Sequence, residues 1–153
     1  MKDEILKEQL VQLLRGGYAH RPHKDLIENF PEEKINKKIP GIDYTAYELM
    51  EHMRIAQWDI LEFTKDQTFK SPDWPEGYWP EKNSEATLKE WDKSVKQFFT
   101  DQYEIESIVN NDQIDLTDQL PEAEDYNYLR EIFLVAAHNS YHLGQLVVFA
   151  KSK

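Results

Sequence analysis

The sequence contains no cysteine. Disulfides and thiolate metal sites are therefore excluded, and any thiol chemistry has to come from a bound small molecule. A run of 18 apolar residues is also missing, so no segment is expected to span a bilayer. The stretch MKDEILKEQL sets acidic residues inside an amphipathic pattern and does not read as a secretory signal. Positive charge is scarce: 18 Lys and Arg stand against 29 Asp and Glu, a net charge of −11. No basic stripe interrupts that acidic character, so neither nucleic acid nor an anionic membrane is an expected partner. Internal repeats, low-complexity tracts and a linker between domains are all lacking, and no strand-like alternation runs long enough to trust. A cytoplasmic protein is expected.

What is present reads as one folded unit. The 153 residues are 40% apolar and 31% charged, enough for a single domain, 1–153, with its own core. Helical spacing of Ile5, Leu6, Leu10, Leu13 and Leu14 predicts a first helix from about Asp3 to Tyr18, with Gly16 and Gly17 marking fraying or close packing near its end. A polar stretch broken by Pro22, Pro31 and Pro40 follows, with room for a short helical turn at Leu26, Ile27 and Phe30. Thr45 with Glu48 makes a capping-box pattern, predicting a second helix that runs to about Thr64 with Leu49, Met53, Ala56 and Ile60 on its apolar stripe.

The connection DQTFKSPDWPEGYWPEKNS is long and rich in proline and aromatic residues, a composition suited to covering something. Asn83 or Ser84 is expected to cap a third helix, which carries Leu88, Trp91, Val95, Phe98, Phe99 and Ile105 and ends near Val109. After an acidic connection, Asn127 caps the fourth and most apolar helix. Four helices joined by connections of roughly 18 to 25 residues predict an all-α fold, a four-helix bundle with unusually long loops.

The chemistry concentrates in histidine. His138 and His142 lie four residues apart, so their imidazoles share one helix face one turn apart. No glutamate follows His138, which removes the zinc-protease reading of such a pair. At 100° per residue, Glu131, Leu134, His142, Gln145 and Phe149 all fall within about 40° of His138, on the presumed core stripe of the last helix. His52 flanks the core stripe of the second helix. Three imidazoles facing one interior need partners, either separate carbonyls and carboxylates or one shared ion. The ligand spacing favours the ion, with His52, His138 and His142 as its ligands and at least one position left open. Nitrogen ligation suits Zn, Ni, Cu or Fe. His20 and His23 flank a proline in a loop and are assigned to the surface.

The closing segment HNSYHLGQLVVF resembles that of the DinB/YfiT-like family, in which an HxxxH pair in the last helix joins a single histidine from the second. LLRGGYAH, LMEHMRIAQWDILEF and SPDWPEGYWP stand before it in the order of one branch of that family, so the resemblance spans essentially the whole chain. It implies a DinB-like four-helix bundle with a histidine-triad metal centre mapping onto His52, His138 and His142. It also implies one divalent ion, Zn or Ni foremost with Fe and Mn admissible, that activates a low-molecular-weight thiol for transfer to a small electrophile.

The partner expected is thus a small-molecule substrate, with a homodimer admissible. A metal-dependent hydrolase using bound water, and a bundle that binds metal or a small molecule without catalysis, are the alternatives. Glu131 and Tyr141 are the candidate catalytic groups. Asp59 and Gln145 are further candidates for orienting ligands or moving protons. Trp74, Tyr78 and Trp79 are candidates to roof the site and contact its ligand, or simply to pack over one end of the helices. Were the site closed by a fourth protein ligand, Glu131 would be the first suspect.

Overall fold

The computed structural model describes residues 2–153, and the side chains from Glu4 onward. The described chain is mostly helical. Its helices are α1 (Lys2–Arg15), α2 (His23–Ile27), α3 (Ala46–Lys65), α4 (Leu88–Asn110) and α5 (Tyr128–Lys151). Single 3-10 turns occur at Glu32–Lys34 and Glu76–Tyr78. A small antiparallel hairpin, β1 (Gln119–Leu120) and β2 (Ala123–Asn127), precedes α5. The sequence reading missed this hairpin. A strand of two residues cannot display a period of two, and β2 is exposed along most of its length.

α1 stops at Arg15, three residues before the expected end, because Gly16 and Gly17 take left-handed backbone angles (φ +69° and +117°) open to glycine at little cost. α3 starts where its capping box requires. The Glu48 amide donates to Thr45 Oγ1 at 3.2 Å, and the Thr45 amide donates to Glu48 Oε2 at 2.7 Å. The expected cap of α4 at Asn83 or Ser84 is displaced to Thr87, whose hydroxyl accepts from the Glu90 amide at 3.3 Å while Glu90 Oε2 accepts from the Thr87 amide at 2.8 Å. Asn83 instead adopts φ +64° and spends its amide on Glu48 Oε1. Asn127 caps α5 as expected, accepting from the Arg130 amide at 2.8 Å.

α3 packs against α4 and α5, and α1 against the same pair. Two apolar clusters result. One gathers Leu49, Met50, Met53, Phe98, Leu146 and Phe149 with the residues around α2. The other gathers Leu10, Leu14, Leu61, Ile105, Val109, Ile132 and Val135. Between α3, α4 and α5 runs a buried polar link: Gln57 Nε2 donates to the Phe98 carbonyl at 2.6 Å, and Asn139 Nδ2 donates to Gln57 Oε1 at 2.8 Å. Such a link has a definite hydrogen-bond geometry and so favours one rotational setting of α5 against α3. In that setting Val135, Asn139, His142 and Leu146 face inward, whereas Leu134, expected on the inward stripe, is 41% exposed.

The expectation that no segment could span a bilayer is too strict for α5. It has the length and composition of a membrane span, with an 18-residue window of mean hydropathy 1.2. Of that window 44% is buried inside the protein, in the core formed with α3 and α1.

The surface assignment of His23 is overturned. It is 0% exposed, because the turn at Gly16 lays the chain directly onto it. A Cβ placed on Gly16 would sit 2.9 Å from His20 Cε1 and 3.0 Å from His23 Cδ2, so a side chain there would have to displace the exposed His20 ring and press on the buried His23 ring. His20 is exposed as expected, stacked on His23 with ring centroids 5.9 Å apart and bonded to Ser140 Oγ at 3.2 Å.

Candidate metal centre

The capping box sets the start of α3 and so places His52 two turns along it, facing α5. From α5, His138 and His142 project one turn apart towards the same point. One ring nitrogen from each of the three histidines lies within 4.8 Å of the others. His52 Nε2 and His138 Nε2 are 3.1 Å apart. Nitrogens on a tetrahedral ion with bonds of about 2.1 Å are separated by about 3.4 Å, so this pair already stands close to ligand spacing.

Two of the outer nitrogens are committed elsewhere. His52 Nδ1 donates to the Tyr78 carbonyl at 2.9 Å, and His142 Nδ1 donates to Gln145 Oε1 at 2.8 Å. A carbonyl and an amide oxygen only accept, so each ring carries its proton on Nδ1 and keeps the Nε2 lone pair for a ligand bond. All three imidazoles have pKa values pushed down, in each case chiefly by burial. His138 falls to about 4, helped by its two neighbours His142 and His52. Near neutral pH the three rings are therefore uncharged, the form that binds cations. Three convergent neutral imidazoles, two of them oriented through Nδ1, fit a divalent transition-metal ion.

The remaining candidates divide. Gln145 belongs to the site: besides His142, its Oε1 accepts from the Tyr44 hydroxyl at 3.1 Å. Tyr141 stands edge-on to His142 at 4.8 Å between ring centroids and is 68% exposed. Trp79 lies flat on His52, 4.1 Å between centroids with 5° between planes, and Tyr78 supplies the carbonyl just described. Trp74 is 73% exposed and touches Tyr78 rather than a histidine. Asp59 is buried, and its Oδ2 accepts from the Tyr78 hydroxyl at 2.7 Å. That phenol is pushed up to about 12, by burial first and Asp59 second.

Glu131 is not brought to the histidines. It is buried two turns before His138, ion-paired with Arg130, beside a small cavity lined by Ile60, Leu61, Ile105 and Val135. Among the described residues the histidine cluster includes no carboxylate.

Sequence reasoning missed Tyr44, which touches Trp79 at 5.1 Å and Phe149 at 6.2 Å between ring centroids. Its place immediately before the Thr45 cap, where an apolar side chain packs back onto its helix, was the available signal. The Tyr78 carbonyl left no signal, since every residue has one. No family model, curated protein or solved structure matches this chain.

Proposed function

We propose that the chain is a metal-dependent enzyme of the DinB/YfiT-like kind, with α1, α3, α4 and α5 as its four-helix bundle and one divalent ion, Zn or Ni foremost, on His52, His138 and His142. Its reaction is the transfer of a low-molecular-weight thiol to a small electrophile. The observation that carries this reading is the convergence of three neutral imidazoles whose other ring nitrogens, in His52 and His142, are already engaged. When bound, such an ion lowers the pKa of a thiol or water placed on it and so supplies a nucleophile at neutral pH.

The chain's own residues do the rest. Tyr78 and Gln145 hold two ligand rings in one tautomer, so little orientation is left to lose when the ion arrives. Trp79 covers a face of His52 and keeps water from it. Tyr141, open to solvent beside His142, is the side chain an incoming substrate meets. The absence of cysteine leaves an exogenous thiol as the sulfur source, and a reducing cytoplasm is where such thiols are kept available. That the cluster holds no carboxylate among the described residues speaks for an ion with an exchangeable position rather than one closed by four protein ligands.

The test is a screen of electrophiles against protein loaded with Zn or Ni, with and without glutathione, bacillithiol and mycothiol. Consumption that needs both metal and thiol is the expected result. Metal-dependent hydrolysis without thiol would transfer the assignment to a hydrolase. Failure of the wild-type chain to take up a stoichiometric ion would overturn the proposal.

A further inference from the structure

Tyr78 makes two hydrogen bonds from opposite ends of one residue. Its carbonyl accepts from the metal-site ring of His52 at 2.9 Å, and its hydroxyl donates to Asp59 Oδ2 at 2.7 Å. Asp59 lies on α3 two turns beyond His52 and takes no part in the histidine cluster. It is only 8% exposed, its Oδ1 has no partner, and among the described residues no cation pairs with it. A buried carboxylate without a cation costs stability, and a bond from a neutral hydroxyl recovers only part of that cost. What the arrangement does provide is a short charge-assisted bond that fixes the Tyr78 ring. Ser71, from the same connection, also reaches that hydroxyl. Farther along, the Asn83 amide is held by Glu48 Oε1 at 2.7 Å. The aromatic connection is thereby pinned along α3 at Glu48, His52 and Asp59, and the middle pin is a metal-ligand candidate.

We infer that Asp59 is a positioning residue for the metal centre, acting through the Tyr78 hydroxyl and backbone to hold the carbonyl that orients His52. This rests on the metal reading above. Coupling of this kind is reciprocal: if the latch strengthens metal binding at His52, metal at His52 tightens the latch by the same free energy.

Co²⁺ is a suitable probe, because its visible absorption reports coordination and its affinity is measurable by competition with a chelator. Tyr78→Phe removes one hydroxyl, and Asp59→Leu removes the carboxylate. Both are expected to weaken Co²⁺ binding about tenfold, the lower end of the effect of losing an outer partner of a metal-bound histidine. Asp59→Asn keeps an acceptor and should stay within about threefold of wild type. In wild type, Co²⁺ should slow amide exchange in residues 76–79, and in Tyr78→Phe that protection should shrink. A merely structural staple would lower the melting temperature and leave Co²⁺ affinity unchanged. Unaltered affinity in both Tyr78→Phe and Asp59→Leu would overturn the inference while leaving the metal reading intact. A wild-type chain that binds no Co²⁺ would overturn both.

Discussion

The protein buries histidine in two places, and they differ in more than number. Near α5, His52, His138 and His142 each bring a ring nitrogen to within 4.8 Å of the others, and the outer nitrogens of His52 and His142 are hydrogen-bonded. Under the Gly16 turn, His23 is more deeply buried than any of them, yet its ring nitrogens make no well-formed hydrogen bond, and the polar group that reaches the ring is the Leu14 backbone. Burial lowers the pKa in both places, to about 4 in His23 as in His138. A depressed histidine is therefore no mark of a ligand site by itself. What separates the two places is convergence with an oriented tautomer, which requires groups from different elements to agree on one point.

The widest gap between the two places should appear in metal content. His138→Ala or His142→Ala is expected to abolish stoichiometric binding, measured by elemental analysis after chelator treatment and reloading, whereas His23→Ala should keep a full equivalent. If both triad variants retain their metal, the ion sits elsewhere.

A smaller effect concerns acid stability of the metal-free protein. Folded His23 has its pKa lowered from 6.5 to about 4, so above pH 6.5 the folded and unfolded rings are both neutral and nothing is lost. Between pH 6.5 and 4 the unfolded state takes up a proton that the folded ring refuses, and stability falls as pH falls. The loss from this one ring approaches about 1.4 kcal/mol per pH unit, on the order of 2–3 kcal/mol across the window. His138 adds a loss of the same sign over the same range. Urea midpoints at several pH values should show His23→Leu flattening the slope but not abolishing it. An unchanged slope would mean that His23 reaches water or a partner when charged.

The smallest expected change is at the turn itself. Gly16→Ala places a Cβ at φ +69° against the buried ring of His23 and should cost about 1–2 kcal/mol, read from thermal or urea melts, with metal content unchanged.

The same contrast explains what could be read in advance. His138 and His142 were legible as a pair because four residues on a helix always bring two side chains to one face. His52 was legible as inward-facing from the stripe beside it. His23 was misplaced because its neighbours look like a loop, and loops usually lie on the surface. Only the double-glycine turn, a matter of backbone angles and close approach, folds that loop inward. Glu131 shares the inward face of α5 with His138 by angle, but a helix face is long, and two turns of axial rise carry Glu131 to Arg130 and the Ile60–Ile105 cavity.

Periodicity, capping patterns and the spacing of two histidines are local quantities, and the helices, the α3 and α5 starts and the two-ligand face all follow from them. Which end of α5 meets His52, which carbonyl the His52 Nδ1 finds, and where the aromatic connection comes to rest are contacts between residues 26 to 101 positions apart, among them Tyr78 with His52 and Tyr44 with Gln145. Such contacts depend on how whole helices settle against one another around the Gln57–Asn139 link. No local pattern encodes that choice; the packed core makes it.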